Sequence, residues 1–203
     1  MRTLQRMTDQ KIPTVLSIAG SDSGGGAGIQ ADLKAIARCG GHGMTAITAI
    51  TAQNTIGVNA IEAISPSMII EQIRAVAEDI GVDAVKIGML GTTATTEAVA
   101  AGLELIPEAP VVVDPVMVSE SGADLLEPEA RSALIGLILP RATVVTPNIP
   151  EARVLTGLGE ETSQAKLADA VLKLGPSNVV VTGGHSSGPV SYTHLTLPTI
   201  YSV

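Results

Sequence analysis

The stretch "TVLSIAGSDSGGGAGIQADLKAI", residues 14–36, changes texture twice. "TVLSIA" (14–19) is a short apolar run of strand character. Glycines at 20, 24, 25, 26 and 28 follow, with Asp22 among them. "IQADLKAI" then takes on a helical pattern. Glycine this dense allows positive φ or a close approach of backbone to another group. The group approached is a phosphate, a dinucleotide or a neutral small molecule, and the rest of the chain has to decide which.

Working outward, five further runs share the strand character: "MTAITAIT" (44–51), "DAVKIG" (83–88), "VVVD" (111–114), "TVVT" (143–146) and "NVVVT" (178–182). All are rich in Val, Ile and Thr and bounded by Gly, Pro or Asp. Near-continuous apolarity predicts parallel strands covered on both faces. Helical patterns lie between them. In residues 65–81, Ser65 is placed to cap, Pro66 stands in the first turn, and Gly81 stops the helix. Ile69, Ile73, Val76 and Ile80 form its apolar stripe. Residues 95–106 and 161–175 read similarly, with Gly102 weakening the first. Strand and helix in alternation predict an α/β fold around a mainly parallel sheet with right-handed crossovers.

Each strand candidate ends in polar or flexible residues: Gly20 and Asp22, Gln53 and Asn54, Gly88 and Met89, Asp114, Thr146 and Asn148, then Thr182, Gly183 and Gly184. Open parallel sheets bind ligands beyond the carboxyl ends of their strands, so a single rim is expected to carry the site.

Composition narrows the classes. Of 203 residues, 12 are basic and 20 acidic, giving net charge -8, which argues against a nucleic-acid partner. The single cysteine, Cys39, excludes an internal disulfide and a thiolate zinc cluster. With no Trp or Phe, aliphatic residues must build the core. No apolar run reaches the ~18 residues of a membrane span, and residues 1–13 lack the apolar segment of a signal peptide. A cytoplasmic protein with no membrane partner is the expectation.

The glycine loop lacks the Gly-Lys-Ser/Thr of a Walker motif. Gly26, Gly28 and Ala31 half match a dinucleotide fingerprint, but the next strand ends in Gln53 where that fold wants an acid. Asp32 reads equally as a solvated helix acid or as a carboxylate accepting from a ligand. Gln53 offers an acceptor and two donors, suited to an aminopyrimidine edge, or is a turn residue. Asp114 closes one strand, and Asn148 and Glu151 follow another at N-x-x-E spacing. A carboxylate and an amide at such turns can hold Mg²⁺ through waters beside a polyphosphate. A cap at Asp114 and a first-turn helix charge at Glu151 are the plainer readings. Thr182 and the glycines after it can turn N–H groups toward phosphate.

"AGSDSGGGAGIQADLKA", "TAITAQNT", "VKIGML", "VVVDPVM", "VTPNIPEA" and "VTGGH" occur in this order between Thr14 and His185. Together they resemble the hydroxymethylpyrimidine/phosphomethylpyrimidine kinases of thiamine biosynthesis. The resemblance implies a ribokinase-like three-layer sandwich, with helices on both faces of the sheet. It implies ATP- and Mg²⁺-dependent phosphorylation of a pyrimidine's hydroxymethyl group, then of the monophosphate. Gly20, Asp32 and Gln53 would meet the pyrimidine, with Met89 and Val116 packed on it. Asp114 and Glu151 would sit near Mg²⁺, and Asn148, Thr182 and Gly184 along the ATP phosphates. Many relatives carry Lys where this chain has Thr182. A homodimer is compatible with the resemblance.

The resemblance stops near Gly188. The later glycine-rich motif, which opens a helix and supplies the anion hole and candidate base, is not seen, so the C-terminal part of the fold is expected to be missing and turnover very low. The expected organisation is an extension over 1–13, an incomplete kinase domain over 14–189 and a non-native tail over 190–203. That tail holds both tyrosines of the chain. A pyridoxal kinase-like enzyme, a nicotinamide-binding oxidoreductase and a non-catalytic fragment are the competing readings.

Overall fold

The computed structural model of the chain describes residues 11–117, 125–183 and 192–196. Gly184, most of the tail and most of the N-terminal extension lie outside these residues. The strand β1 (Thr14–Asp22) runs through the glycine loop into α1 (Gly28–Arg38), and β2 (His42–Gln53) returns parallel to β1. The hairpin strand β3 (Val58–Ala63) then pairs antiparallel with β2. It is formed around Asn54, whose side chain accepts the N–H groups of Ile56 and Gly57. Next come α2 (Pro66–Asp79), β4 (Ala84–Ile87), α3 (Thr93–Leu103) and β5 (Val111–Val113). The helix α4 (Pro128–Ala133) continues through a π turn and a 3₁₀ turn to Arg141. The chain then makes β6 (Val144–Val145), α5 (Ile149–Thr156), α6 (Gln164–Leu172), β7 (Asn178–Thr182) and β8 (Tyr192–Thr196).

The sheet order is β3-β2-β1-β4-β5-β6-β7-β8. The six strands expected from composition are parallel to one another, and the two antiparallel strands sit at the edges. β3 was not expected, because its outward residues alternate without an apolar face. β8 comes from the tail that the sequence reading set aside, and pairs with β7 from Asn178↔Thr196 to Thr182↔Tyr192.

Local signals act as expected in α2. The Ser65 side chain accepts from Met68 N–H, Pro66 opens the helix, and Gly81 follows it with φ 81°. Gly102 has a packing reason: a Cβ there would strike Ile73 Cδ1, so the glycine lets α3 lie close against α2.

Among the described residues, the cover predicted for both faces is complete on one face and partial on the other. Leu16, Ile18, Val85, Ile87, Val111, Val113, Val145, Val179 and Val181 point to the covered face. They join Ile73, Val99, Leu103, Ile138, Leu167 and Val171 in one core cluster. On the other face α1 covers β1 and β2: a Cβ on Gly43 would meet Leu33 and Ile36. Beyond α1 the cover ends among the described residues. Val112, in a central strand, is 37% exposed, and Val144, Asn178 and Val180 are half-buried.

Candidate active site

All six parallel strands end at one edge, so their polar termini share a rim. β1 stands between β2 and β4, which makes it the point where successive crossovers diverge to opposite sides, and a crevice forms there. The Gly20 position lies in this crevice: a Cβ there would meet Met89 Cε at 2.7 Å, so only glycine lets that methionine pack against β1.

The glycine loop is organised by a residue the sequence reading passed over as a strand terminus. Asp22, 5% exposed, accepts the N–H of Gly24 at 2.8 Å, of Gly26 at 2.9 Å and of Ala27 at 2.8 Å. Ala27 is the N-cap of α1 and makes no side-chain capping bond; Asp22 instead anchors the N-cap's own N–H and the loop before it. Burial raises the Asp22 pKa, but the N–H groups of Ala27, Gly24, Gly26 and Gly25 outweigh it and hold the carboxyl below its usual range. Gly28 has φ 54°, and a Cβ there would collide with the Gly20 carbonyl oxygen. The loop is folded back on the strand it leaves. An Asp two residues before a glycine was the available signal.

Asp32 does not face the rim freely. Its Oδ2 accepts from Ser17 Oγ at 2.6 Å and from Lys86 Nζ at 3.1 Å. Lys86 also lies 4.0 Å from Asp114 Oδ2. Lys86 was read only as part of a strand, although a charged residue inside an apolar run of a buried sheet is itself a signal. Gly88 makes room for it, since a Cβ there would stand 2.9 Å from Lys86 Nζ.

Asp114 and Glu151 follow the ends of the neighbouring strands β5 and β6, near enough for the charge of one to act on the other. Burial raises the pKa of Asp114, Lys86 opposes this, and Asp32 adds to it. Burial pushes Glu151 up to about 7, helped by the charge of Asp114 and opposed by the N–H groups of Asn148 and Met117. Glu151 also closes a capping box: its Oε2 accepts Asn148 N–H at 2.9 Å, and Asn148 Oδ1 accepts Glu151 N–H at 2.8 Å. The plainer reading of Glu151 as a helix-start residue is therefore realised. Asn148 bridges to Thr182 in the next strand, and Thr182 N–H donates to Pro147 O at 2.9 Å.

Gln53 is anchored to the glycine-loop side. Its backbone exchanges hydrogen bonds with Ser23 Oγ in both directions, and its Oε1 accepts from Thr51 Oγ1 at 3.2 Å. Val116 is half-buried, its N–H bonded to Asp114 O at 2.8 Å. The geometry thus joins Asp32 and Asp114 through Lys86, sets Glu151 within reach of the charge of Asp114, and brings together Asn148 with Thr182 and Gly20 with Met89. A cavity of about 450 Å³ opens beside Met89, walled by Thr48, Ile61, Thr92, Leu126 and Arg131. Met89 is the one predicted site residue on its wall.

Asp114 and Glu151 suit a divalent cation. They are hard oxygen donors held close despite their mutual repulsion, which a cation would relieve. Among the described residues no group of three or more acidic, His or Cys side chains forms a closed cage. Two carboxylates completed by waters is a set that fits Mg²⁺, which dehydrates reluctantly.

A mainly parallel sheet with a glycine loop at its divergence point and two carboxylates on the rim is an α/β architecture of the ribokinase-like kind. The family described as phosphomethylpyrimidine kinase matches residues 22–199, and the chain belongs to it. It is 52% identical over 176 residues to the hydroxymethylpyrimidine/phosphomethylpyrimidine kinase of Rhizobium meliloti, covering 85% of this chain and 66% of that protein. The phosphomethylpyrimidine kinase structure from Clostridium difficile superposes with TM-score 0.83 at 45% identity, covering 92% of this chain and 81% of that one. Pyridoxal kinase from Staphylococcus aureus in complex with AMP-PCP gives TM-score 0.80 at 35% identity, covering 91% of this chain and 69% of that one. The chain spans slightly less than two thirds of the length of the Rhizobium relative. No helix among the described residues is long and apolar enough to cross a membrane.

Proposed function

We propose that this chain carries the substrate and cation half of a kinase that uses ATP and Mg²⁺ to phosphorylate 4-amino-5-hydroxymethyl-2-methylpyrimidine, and then its monophosphate. The observation that carries the reading is the Asp114–Glu151 pair on the rim next to the β1 crevice, in a chain of this family. Asp114 and Glu151 would hold Mg²⁺, which when bound neutralises phosphate charge. Asn148 and Thr182, side by side at the ends of β6 and β7, would line the ATP phosphates, with Gly184 two residues further along the sequence. Thr182 offers a hydroxyl and no charge, so phosphate contact there is weaker than a lysine would give. Gly20 and Met89 form the wall on which the pyrimidine ring would pack, with Val116 near Asp114 and Gln53 across the glycine loop to read the ring's amino edge. Asp32 approaches the ring only by way of its unshared oxygen, because Oδ2 is taken by Ser17 and Lys86.

Isothermal titration of the full chain tests this. Saturable binding of the hydroxymethylpyrimidine, tighter than pyridoxal, and binding of ATP·Mg²⁺ that Glu151→Gln abolishes are expected. Tighter pyridoxal binding would move the assignment to a pyridoxal kinase. Saturation by NAD with no response to ATP would exclude a kinase. Appending the C-terminal segment of a relative is expected to raise phosphoryl transfer well above that of the chain itself, because an anion hole at a helix N-terminus stabilises the charge that develops.

A further inference from the structure

Lys86 stands between two carboxylates and is shared unequally. It lies 3.1 Å from Asp32 Oδ2 and 4.0 Å from Asp114 Oδ2. The side chains of Lys86 and Asp32 are 25% and 16% exposed, so water screens this pair only partly. Ser17 Oγ is fully buried, and its 2.6 Å bond to the same Asp32 oxygen fixes that carboxylate from below. Ser17 and Lys86 are direct register partners on β1 and β4, so the sheet itself sets the spacing. Gly88 leaves the space through which the ammonium reaches them. The three charged groups belong to α1, β4 and the end of β5.

We propose that Asp32 is a positioning residue for the cation site: it holds Lys86 off Asp114 and so leaves the Asp114 carboxylate free to take a divalent ion. The inference rests on the reading of Asp114 and Glu151 as the cation pair, and gives Asp32 a role apart from any contact with the pyrimidine. Among the described residues, the other carboxylate beside the Lys86 ammonium is that of Asp114. There a released ammonium would compete with the metal for the same oxygen. Closing the 4.0 Å gap to hydrogen-bond distance strengthens the attraction enough to weaken metal binding about tenfold at an effective dielectric near ~20. Asp32→Asn is therefore expected to harm the metal site, although Asp32 does not ligate the metal. The larger part of the effect depends on Lys86, and the lost charge of Asp32, which also acts on Asp114, supplies the rest.

The test uses the full chain and Mn²⁺, followed by the electron paramagnetic resonance signal of the free aquo ion. Wild-type chain is expected to bind Mn²⁺ saturably, with displacement by Mg²⁺ and loss in Glu151→Gln. Asp32→Asn should weaken that binding about tenfold. Lys86→Met alone should bind Mn²⁺ at or tighter than wild type, and in that background the same Asp32→Asn change should weaken binding by a clearly smaller factor, since only the direct charge of Asp32 is then lost. Ser17→Ala, which loosens Asp32 without changing charge, should shift affinity in the same direction by a smaller factor, and serves if Asp32→Asn does not fold. Circular dichroism melts establish which variants are folded. Unchanged or tighter Mn²⁺ binding in folded Asp32→Asn, or equal weakening with and without Lys86, overturns the inference while leaving the cation pair standing. A wild-type chain that takes up no Mn²⁺ overturns the cation pair and the inference together.

Discussion

The two faces of the sheet are built on different principles. Toward α2–α6, the strands present Leu16, Ile18, Val85, Ile87, Val111, Val113, Val145, Val179 and Val181, all at 0% or 1% exposure. Toward α1, the same strands present Ser17, Lys86, Val112 and Asn178, and the face is covered only over β1 and β2 among the described residues. The first face is an aliphatic core in which any residue of similar size and shape would serve. The second holds a polar network in which each member has a specific partner. The difference teaches that stability and chemistry are separated across one sheet, about the thickness of a backbone apart.

That separation can be broken from the core side first. Ile87→Ala removes a fully buried side chain and should cost about 3–4 kcal/mol in urea unfolding, the largest effect of this set. A loss below that of an exposed-site change would mean that the core cluster is not continuous across β4.

Gly28→Ala attacks the polar side at its tightest point. The positive φ and the Gly20 carbonyl both oppose a methyl group, and a loss of about 2–3 kcal/mol is expected. Pyrimidine binding should fall with it, because the loop can no longer close on the end of β1. A chain that melts normally and binds normally would show that the loop's fold does not depend on that contact.

Glu151 sharpens the comparison through pH. Its pKa in the fold is about 7 against an ordinary 4.5, so between those values the folded state keeps a proton that the unfolded state releases. Stability therefore falls as pH rises through this window, and is regained when a cation binds. Glu151→Gln keeps the capping-box geometry and should flatten the pH dependence of Tm between pH 5 and 8, while removing divalent binding. A wild-type Tm that climbs over the same window would contradict the raised pKa.

The smallest stability effect is expected on the open stretch of the second face. Val112→Thr should change unfolding free energy by no more than about 0.5 kcal/mol, yet reduce light scattering on concentration, since it replaces exposed apolar surface. A core-sized loss would show that this face is covered in solution.

Some of this was legible in the residues. The six parallel strands announced themselves by apolar runs, because a strand buried on even one face must carry aliphatic side chains at alternate positions. The start of α2 was legible because Ser65 and Pro66 act within a single turn. The first-turn place of Glu151 was legible for the same reason, whereas the capping role of Asn148 emerged only in the fold. β3 was not legible, since an edge strand with exposed residues on both sides carries no periodic signal. The segment from Val190, set aside for its foreign composition, nevertheless supplies β8, because an antiparallel edge pairing is held by backbone hydrogen bonds that any sequence can offer.

By itself, the order of residues determined the fold class, the shared rim and the residue types on it, because these follow from local pattern and from parallel strands all pointing one way. Only the tertiary structure decided what Asp32 does. Its partners Ser17 and Lys86 lie 15 and 54 residues away, and no local spacing encodes a contact made across three elements. It also decided that Lys86 and Asp22, unremarkable in sequence, are the charges around which the site is arranged: burial strengthens an ion pair or a carboxylate cradle, and burial is a property of the packed molecule.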